Sequence, residues 1–552
     1  MPGNRYRYIA KVLARHGLGY LADDFGLERF IPFHRGLLGH DKREQPYTQP
    51  EHVRLALEDL GATFIKFGQI LSTRPDLLSP DYVRELGKLQ DAAPPADHQA
   101  VMAAITSELG VDPDALFARF DHAPLAAASI GQVHGAQLKG GAEVVVKVRR
   151  PGVVERVHED VEILKNLAAR AARRWPAAEN YDLVGLADEF GETIRAELDY
   201  VREARNVERC ARNFADDASI HIPKVFWQTS TSRVLTLERV GGIKINDLDG
   251  LAAAGIDRKA LAQRLAQLAL VMVFEHGFFH ADPHPGNFFI EPDGRIALID
   301  FGMVGTVDER GREQLARLLF ALTTRETVRL TDEILDIAHT PGRIDRGGLQ
   351  QDIERLLGRY YDRQLGEIPL GEVLQGTLAI VRRHHLQLPA DLALLFKMLI
   401  MSEGLGARLD PEFHLIQEVT PYAERLIMRQ YSPTLWAPRL AKAGFDAARL
   451  ATELPTELRR VLSALDQSNL EFGIRHETLE PLVDRLDRLA NRLVLSILAA
   501  AFIVGLAVLM LVYHPAGWEE WASVTFAIGF AIAALAGTYL AWTIIRPRQK
   551  GR

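Results

Sequence analysis

The stretch HADPHPGNFFI, residues 280 to 290, carries the strongest signal in this chain for both fold and chemistry. It places Asp282 in a Pro-rich loop, with Asn287 before an apolar run, and "LIDFG" then brings Asp300 onto a second loop. Phosphoryl transfer from a magnesium nucleotide needs a carboxylate near the acceptor hydroxyl and oxygen ligands for the cation. The pattern therefore predicts Asp282 as the catalytic carboxylate, and Asn287 and Asp300 as metal ligands.

A lysine on an upstream strand extends this pattern. The segment EVVVKV reads as a strand in which Lys147 stands among valines. A lysine there is costly unless it meets a charge, so an acidic partner on a neighbouring helix is expected. Glu197, Asp199 and Glu203 are the candidates, and the lysine would hold the nucleotide phosphates.

The loop that should cover the phosphates departs from a Gly-rich pattern. It reads PLAAASIGQVH, with Ala126, Ala127, Ala128 and Ser129 ahead of Gly131. Glycine lets backbone amides approach a phosphate closely, and alanine restricts that freedom. We therefore expect these four residues to contact the nucleotide with altered strength or geometry, with Ser129 offering a hydroxyl.

The histidines of the first stretch leave a second interpretation open. His280, Asp282 and His284 could together ligate a transition metal such as zinc or iron. Alternatively, His280 braces the backbone of the Asp-Phe-Gly loop and His284 shapes its own loop. The order of the motifs along the chain favours the nucleotide site.

Composition narrows the function classes. The 552 residues are 47% hydrophobic and 25% charged, which is ordinary for a globular protein of several domains. The formal net charge of -7, without a dominant basic face, predicts no nucleic-acid binding. The single cysteine, Cys210, excludes an intramolecular disulfide and a cysteine zinc cluster.

Two apolar segments stand near the C-terminus. Residues 493–513 and 522–545 carry no charge, and each is long enough to cross a bilayer as a helix. Basic residues flank the pair on both outer sides, which predicts cytoplasmic flanks and a turn on the far side. Small residues in both segments permit close helix packing and a homodimer. A buried helical hairpin is the alternative.

These motifs resemble those of the UbiB family of atypical kinase-like proteins, whose bacterial members support ubiquinone biosynthesis. KFGQ at Lys66 to Gln69 is similar to the family's Lys-x-Gly-Gln motif, and AAAS at 126–129 to its Ala-rich loop. ELD at Glu197 to Asp199 is similar to its Glu-x-Asp motif, and Glu203 stands at the position of the helix glutamate that pairs with the strand lysine.

The resemblance implies an α+β, protein-kinase-like, two-lobed fold with an added N-terminal helical extension and a C-terminal transmembrane hairpin. It also implies that Lys66 and Gln69 lie over the active site, meet Glu197 and Asp199, and so regulate access. The domains that we predict are an N-terminal helical extension at 1–118, a kinase-like N-lobe at 119–242, a kinase-like C-lobe at 243–430, a helical linker at 431–490 and two transmembrane helices at 491–546.

The function that the resemblance implies is Mg²⁺-dependent ATP hydrolysis or phosphotransfer at the bacterial inner membrane. The expected partners are inner-membrane lipid, prenylated quinone precursors and enzymes of quinone biosynthesis. Catalysis is expected from Lys147, Glu203 and Asp282. Two alternatives remain: a small-molecule phosphotransferase of the aminoglycoside or choline kinase type, and a non-catalytic nucleotide-binding scaffold.

Overall fold

The computed structural model describes residues 2–18, 47–89, 95–174, 182–338, 344–360 and 367–430. The predicted linker at 431–490 and the predicted membrane helices at 491–546 lie outside the described residues.

Within the described residues, six helices precede the first strand. A capping box between Thr48 and Glu51 begins the second of them, and Gly61, with a φ of 95°, turns the chain between the second and the third. The apolar faces of the first four pack together and against Ile163 and Leu167 of a later helix, whereas Val101 and Ile105 of the fifth pack against the N-lobe sheet. The six helices are α1 (Pro2–Arg15), α2 (Gln49–Leu60), α3 (Ala62–Ser72), α4 (Pro80–Leu86), α5 (His98–Leu109) and α6 (Pro113–Leu116).

The N-lobe contains an antiparallel sheet with the strand order β1-β2-β3-β5. Alternation along β3 buries Val144, Val146 and Val148 on one face, so Lys147 lies on the other. The elements of this lobe are β1 (Arg119–Ala127), β2 (Gly131–Gln137), β3 (Glu143–Arg149), α7 (Val153–Arg174), α8 (Leu183–Glu197), α9 (Tyr200–Asn213), β4 (Ile220–His221) and β5 (Val234–Glu238).

The C-lobe is mostly helical. Its short strands place two loops side by side, because β7 pairs with β10 and β8 pairs with β9. The loop 281–287 joins β7 to β8, and the loop 299–303 joins β9 to β10. The elements are β6 (Ile243–Lys244), α10 (Leu248–Ala253), α11 (Arg258–Leu270), β7 (Phe278–His280), β8 (Phe288–Ile290), β9 (Ile296–Leu298), β10 (Val304–Thr306), α12 (Glu309–Thr323), α13 (Thr327–Ile337), α14 (Arg346–Gly358), α15 (Leu370–Arg383), α16 (Ala390–Leu409) and α17 (Leu415–Gln430).

Two arginines tie the N-terminal helices to both lobes. Arg74 pairs with Asp76, reaches Glu189 of α8 at 3.0 Å, and donates to the carbonyl of Leu388 at 3.3 Å. From α15, Arg382 donates to backbone carbonyls of the segment 75–78 at 3.1 and 2.8 Å. The segment after α3 is therefore bonded to the N-lobe and to the C-lobe.

The transmembrane part of the predicted fold is corrected. Among the described ranges, no helix is long and apolar enough to cross a membrane. Even α16, with 20 residues, carries Asp391, Lys397, Glu403 and Arg408, and its apolar side chains pack inside the protein. The described residues therefore give no support to the predicted transmembrane hairpin or to the inner-membrane location that depended on it. The fold that the structure supports is a two-lobed α+β fold with added N-terminal helices.

Candidate active site

The β3 face, the two C-lobe loops and the N-terminal helices enclose a cavity of about 1660 Å³. Most of the side chains predicted to be functional line it. Ala127, Ser129 and Asp199 are not lining residues. The predicted residues that do line it are Lys66, Gln69, Ala126, Ala128, Lys147, Glu197, Glu203, Asp282, Asn287 and Asp300.

Lys147 is held by two carboxylates. Its Nζ donates to both carboxylate oxygens of Glu203, at 3.0 and 2.9 Å, and lies 3.8 Å from Oδ1 of Asp300. The ring of Tyr200 lies 5.3 Å from the same nitrogen. Burial alone would lower the pKa of Lys147, but the charges of Asp300 and Glu203 outweigh burial and raise that pKa well above its usual value. Lys147 is therefore a fixed cation facing the cavity.

Of the three acidic candidates, Glu203 is the partner of Lys147, because the start of α9 places its side chain next to that lysine. It lies in the first turn of that helix and is only 5% exposed. Burial raises the pKa of Glu203, and Lys147 opposes that shift. Asp199 instead occupies the N-cap of α9, where its carboxylate accepts from the N–H of Val201 at 3.1 Å.

Asp300 sits in an unusual backbone conformation, with a φ of 61°. Its carboxylate accepts from the N–H of Gly302 at 3.1 Å, while its carbonyl receives Nε2 of His280 at 2.7 Å. Next to it, Asn206 donates to the carbonyl of Phe301 at 3.1 Å. Lys147 lowers the pKa of Asp300 to about 2 and outweighs the opposing effect of burial. The loop therefore presents a carboxylate that is ionised at neutral pH.

Asp282 and Asp300 line the same cavity, one from each of the two loops. Oδ1 of Asp282 lies 3.3 Å from Nζ of Lys397, which comes from the middle of α16. The carbonyl of Asp282 accepts from Nδ2 of Asn287 at 3.1 Å, which leaves the amide oxygen of that side chain as its acceptor atom.

This oxygen set fits a hard cation. Asn287 offers an amide oxygen and Asp300 an ionised carboxylate, and both line the same cavity. Carbonyl and carboxylate oxygens are the ligands that Mg²⁺ takes in nucleotide sites. These two residues would hold the ion.

The transition-metal alternative fits poorly. Both ring nitrogens of His280 are engaged, since Nε2 donates to the carbonyl of Asp300 and Nδ1 accepts from the N–H of Asp282 at 3.2 Å. His284 uses Nδ1 to accept from the N–H of Gly286 at 3.1 Å. Over the part of the chain that the structure describes, no group of three or more His, Cys, Asp or Glu residues could hold a metal. The expectation that His280 braces the Asp-Phe-Gly loop is confirmed.

The Ala-rich segment ends β1 with Ala126 and Ala127 and enters the turn to β2 with Ala128 and Ser129. The N–H of Ala128 donates to the carbonyl of Gly131 at 2.8 Å, and Nε of Arg150 donates to the carbonyl of Ala128 at 2.7 Å. Ser129 is buried, with 4% of its surface exposed. Its contact with a nucleotide stays a prediction.

The N-terminal helices contribute one of the two contacts expected of them. Lys66 lies 3.3 Å from Oε2 of Glu197, and both side chains are largely buried. Gln69, however, donates to the carbonyl of Leu89 at 3.1 Å. Lys66 therefore meets Glu197, as expected. Gln69 instead bonds to the backbone within the N-terminal extension, and Asp199 caps α9.

Sequence reasoning missed Lys397 and Arg382. The signal for Lys397 was present as a lysine inside the apolar run LALLFKMLIM. Lysine in such a helix is rare unless a charge meets it, which is the argument that singled out Lys147 on its strand. Arg382 carries no comparable signal, because arginines near the end of a helix are common.

Three family models match parts of this chain. A family model described as the ABC1 atypical kinase-like domain matches residues 88–333. Models for the UbiB helical domain and the ABC1/UbiB kinase-like C-terminal domain match 353–414 and 477–546.

Several curated proteins are similar over nearly the whole chain. Proteins called "Probable protein kinase UbiB" are 34% identical in Pseudomonas putida strain W619, over 93% of this chain and 96% of that one, and in Xanthomonas campestris pv. campestris strain B100, over 92% and 94%. An uncharacterized protein of the hydrogenase 1 5' region in Clostridium pasteurianum is 31% identical over 98% of both chains. A solved structure of the Rv3197–erythromycin complex from Mycobacterium tuberculosis is 26% identical, with a TM-score of 0.44, over 64% of this chain and 89% of that chain.

Proposed function

The chain belongs to the UbiB family of atypical kinase-like proteins, and we propose that it binds ATP with Mg²⁺ and transfers the γ-phosphoryl group to water or to a hydroxyl acceptor. One observation carries this proposal. Lys147, fixed by Glu203 and 3.8 Å from Asp300, lines a single cavity together with Asp282 and Asn287. A cation for phosphates, oxygen ligands for a metal and a carboxylate for the acceptor are the parts that this chemistry needs.

Nucleotide binding would depend first on Lys147. Because two hydrogen bonds to Glu203 already hold it, the ammonium group is ordered before the phosphates arrive. Little side-chain entropy is therefore lost on binding. Asn287 and Asp300 would hold the Mg²⁺, which offsets phosphate charge when bound.

Transfer would then depend on Asp282. The oxygen of the acceptor forms a bond to the γ-phosphorus as the bond from that phosphorus to the β–γ bridging oxygen breaks. The proton of the acceptor hydroxyl passes to the carboxylate of Asp282, and ADP leaves with the bridging oxygen. His280 supports this step because its two ring nitrogens bond to the backbone of Asp282 and of Asp300, which fixes the two loops relative to each other.

The biological role that we assign is support of ubiquinone biosynthesis. The curated relatives carry the UbiB name, and the identity extends over most of both chains. On this proposal, a prenylated phenol precursor of the quinone is the acceptor or the activator of the ATPase.

The test is ATP hydrolysis by the purified full-length chain, with and without Mg²⁺ and with a prenylated phenol in detergent. We expect Mg²⁺-dependent turnover that Asp282→Asn and Asp300→Asn each reduce about a hundredfold or more, as removal of one catalytic electrostatic group does elsewhere. Asp216→Asn, an exposed residue with the same change of charge, is the matched control.

The two outcomes separate the readings. If wild type binds ATP but hydrolyses it no faster than both variants under every condition, the phosphoryl-transfer proposal fails and a binding scaffold is favoured. A turnover stimulated by small soluble alcohols, but not by the phenol, would favour a small-molecule phosphotransferase.

A further inference from the structure

Lys397 makes a charged contact with Asp282. It comes from outside every motif that defines the site. Its Nζ lies 3.3 Å from Oδ1 of Asp282, and its side chain is 20% exposed. The contact joins residues 115 positions apart in the sequence. It therefore exists because the fold brings α16 under the loop 281–287.

The helix that carries Lys397 presents one polar position to the cavity. Phe396 and Met398, on either side of it, are buried, while Ile400 and Met401 line the cavity one turn later. That spacing places Lys397, Ile400 and Met401 on one face of the helix. A lysine at the centre of such a helix costs stability unless its charge is used.

The loop 281–287 itself supplies no permanent cation. Between Asp282 and Asn287 the sequence is Pro-His-Pro-Gly, without lysine or arginine. Transfer of a γ-phosphoryl group spreads negative charge over its oxygens, and this charge would develop beside the carboxylate of Asp282. A positive group beside Asp282 would therefore stabilise the charge that develops during transfer.

Of the seven other lysines and arginines that line the cavity, three lie close to the motifs or to the extension and are held by strong partners. Lys147 donates to both oxygens of Glu203, and Lys66 pairs with the largely buried Glu197. Arg382 donates to two backbone carbonyls of the segment 75–78. Lys397 differs from these three because its partner Asp282 is 38% exposed and makes a single contact with it.

We propose that Lys397 is a catalytic residue that binds the γ-phosphoryl group of the nucleotide and stabilises its charge during transfer. This inference rests on the proposed function, since it assumes a nucleotide in the cavity. Before binding, Lys397 neutralises Asp282; with the triphosphate bound, its ammonium group donates to a γ-phosphate oxygen as well.

The rival explanation is that Lys397 only offsets the charge of Asp282. A double-mutant cycle separates the two, with binding measured by titration calorimetry on the full-length chain in Mg²⁺. The ligands are ADP and an ATP analogue whose β–γ bridging oxygen is replaced by methylene, so that no hydrolysis interferes. The variants are Lys397→Met, Asp282→Asn and the double variant.

A γ-phosphate contact predicts that Lys397→Met weakens the analogue about tenfold or more and ADP less than about twofold, in the wild-type and in the Asp282→Asn background alike. Lys397→Arg should keep most of the preference for the analogue. Lys259→Met, an exposed lysine at the start of α11 that does not line the cavity, should change neither affinity.

Three results would overturn the inference. In the first, Lys397→Met has no effect once Asp282 is Asn, which means that the lysine serves only that carboxylate. In the second, ADP and the analogue weaken equally, in variants that melt like wild type, which means a general change of the cavity. In the third, wild type binds neither ligand, and the proposed function falls as well.

Discussion

Lys147 and Lys397 stand in the same cavity, but the protein holds them in opposite ways. Lys147 meets two oxygens of a carboxylate that is 5% exposed, whereas Lys397 meets one oxygen of a carboxylate that is 38% exposed. A buried, doubly bonded pair fixes its lysine before any ligand arrives, and a half-exposed single contact can exchange partners. The N-lobe side of the site is therefore rigid, and the side formed by α16 is adaptable.

The largest expected effect is the difference in folding stability between variants that remove one lysine or the other. Lys147→Met leaves Glu203 buried without its partner, which should cost about 3–5 kcal/mol of folding stability. Lys397→Met leaves Asp282 near solvent and should cost less than about 1 kcal/mol. Thermal and urea unfolding of both variants measure the difference, and equal losses would show that the two sides are held alike.

A second variant probes the rigidity of the N-lobe side. A Cβ on Gly131 would overlap the hydroxyl oxygen of Tyr200, whose ring is fully buried beside Lys147. Gly131→Ala should therefore destabilise the fold by about 1–3 kcal/mol, because the ring cannot move aside. Gly140→Ala, in the β2–β3 turn with no atom within 4 Å of the new Cβ, is the matched control.

Acid should weaken the ion pair between Lys147 and Asp300. Lys147 lowers the pKa of Asp300 to about 2, which is below the value of about 3.9 for an unfolded chain. The carboxylate thus contributes stability that is complete above about pH 4 and is lost as the pH falls towards 2. We expect the melting temperature of Asp300→Asn to fall less steeply over that window than wild type, with Asp216→Asn behaving like wild type.

The smallest effect concerns the helix that carries Lys397. Gly404 is exposed within α16, and a Cβ there meets no atom within 4 Å, so Gly404→Ala should raise stability by about 0.5–1 kcal/mol. Two residues later, a Cβ on Gly406 would overlap the ring of Phe413. Gly406→Ala should therefore lower the melting temperature, and two shifts of the same sign would contradict this packing.

Local pattern was sufficient for the N-lobe half of the site. The strand alternation placed Lys147 away from the valines, and one of three nearby acids had to meet it. The choice of Glu203 needed the start of α9, which Asp199 marks as a capping residue. Aspartate directly before a helix is a common N-cap, so this role was within reach of the sequence.

The other half needed tertiary information. Nothing near Asp282 in the sequence points to Lys397, since the two meet only through the packing of α16. Gln69 likewise turned to a carbonyl of its own extension, because an amide can satisfy itself locally where a lysine needs a negative charge. Apolar length, flanking basic residues and the family resemblance together led to the predicted transmembrane hairpin, which lies outside the described residues and which no described helix supports.

The bond from Arg74 to the carbonyl of Leu388 has a consequence for how the protein is made. The two residues are 314 positions apart, and a ribosome adds roughly 5–20 residues per second. The N-terminal helices must therefore wait roughly 15–60 s for this partner, during which they can contact one another, α7 and α8. The nascent chain thus completes its cavity late, after most of the polypeptide has emerged, and a premature stop before Leu388 would leave the N-terminal helices without this anchor.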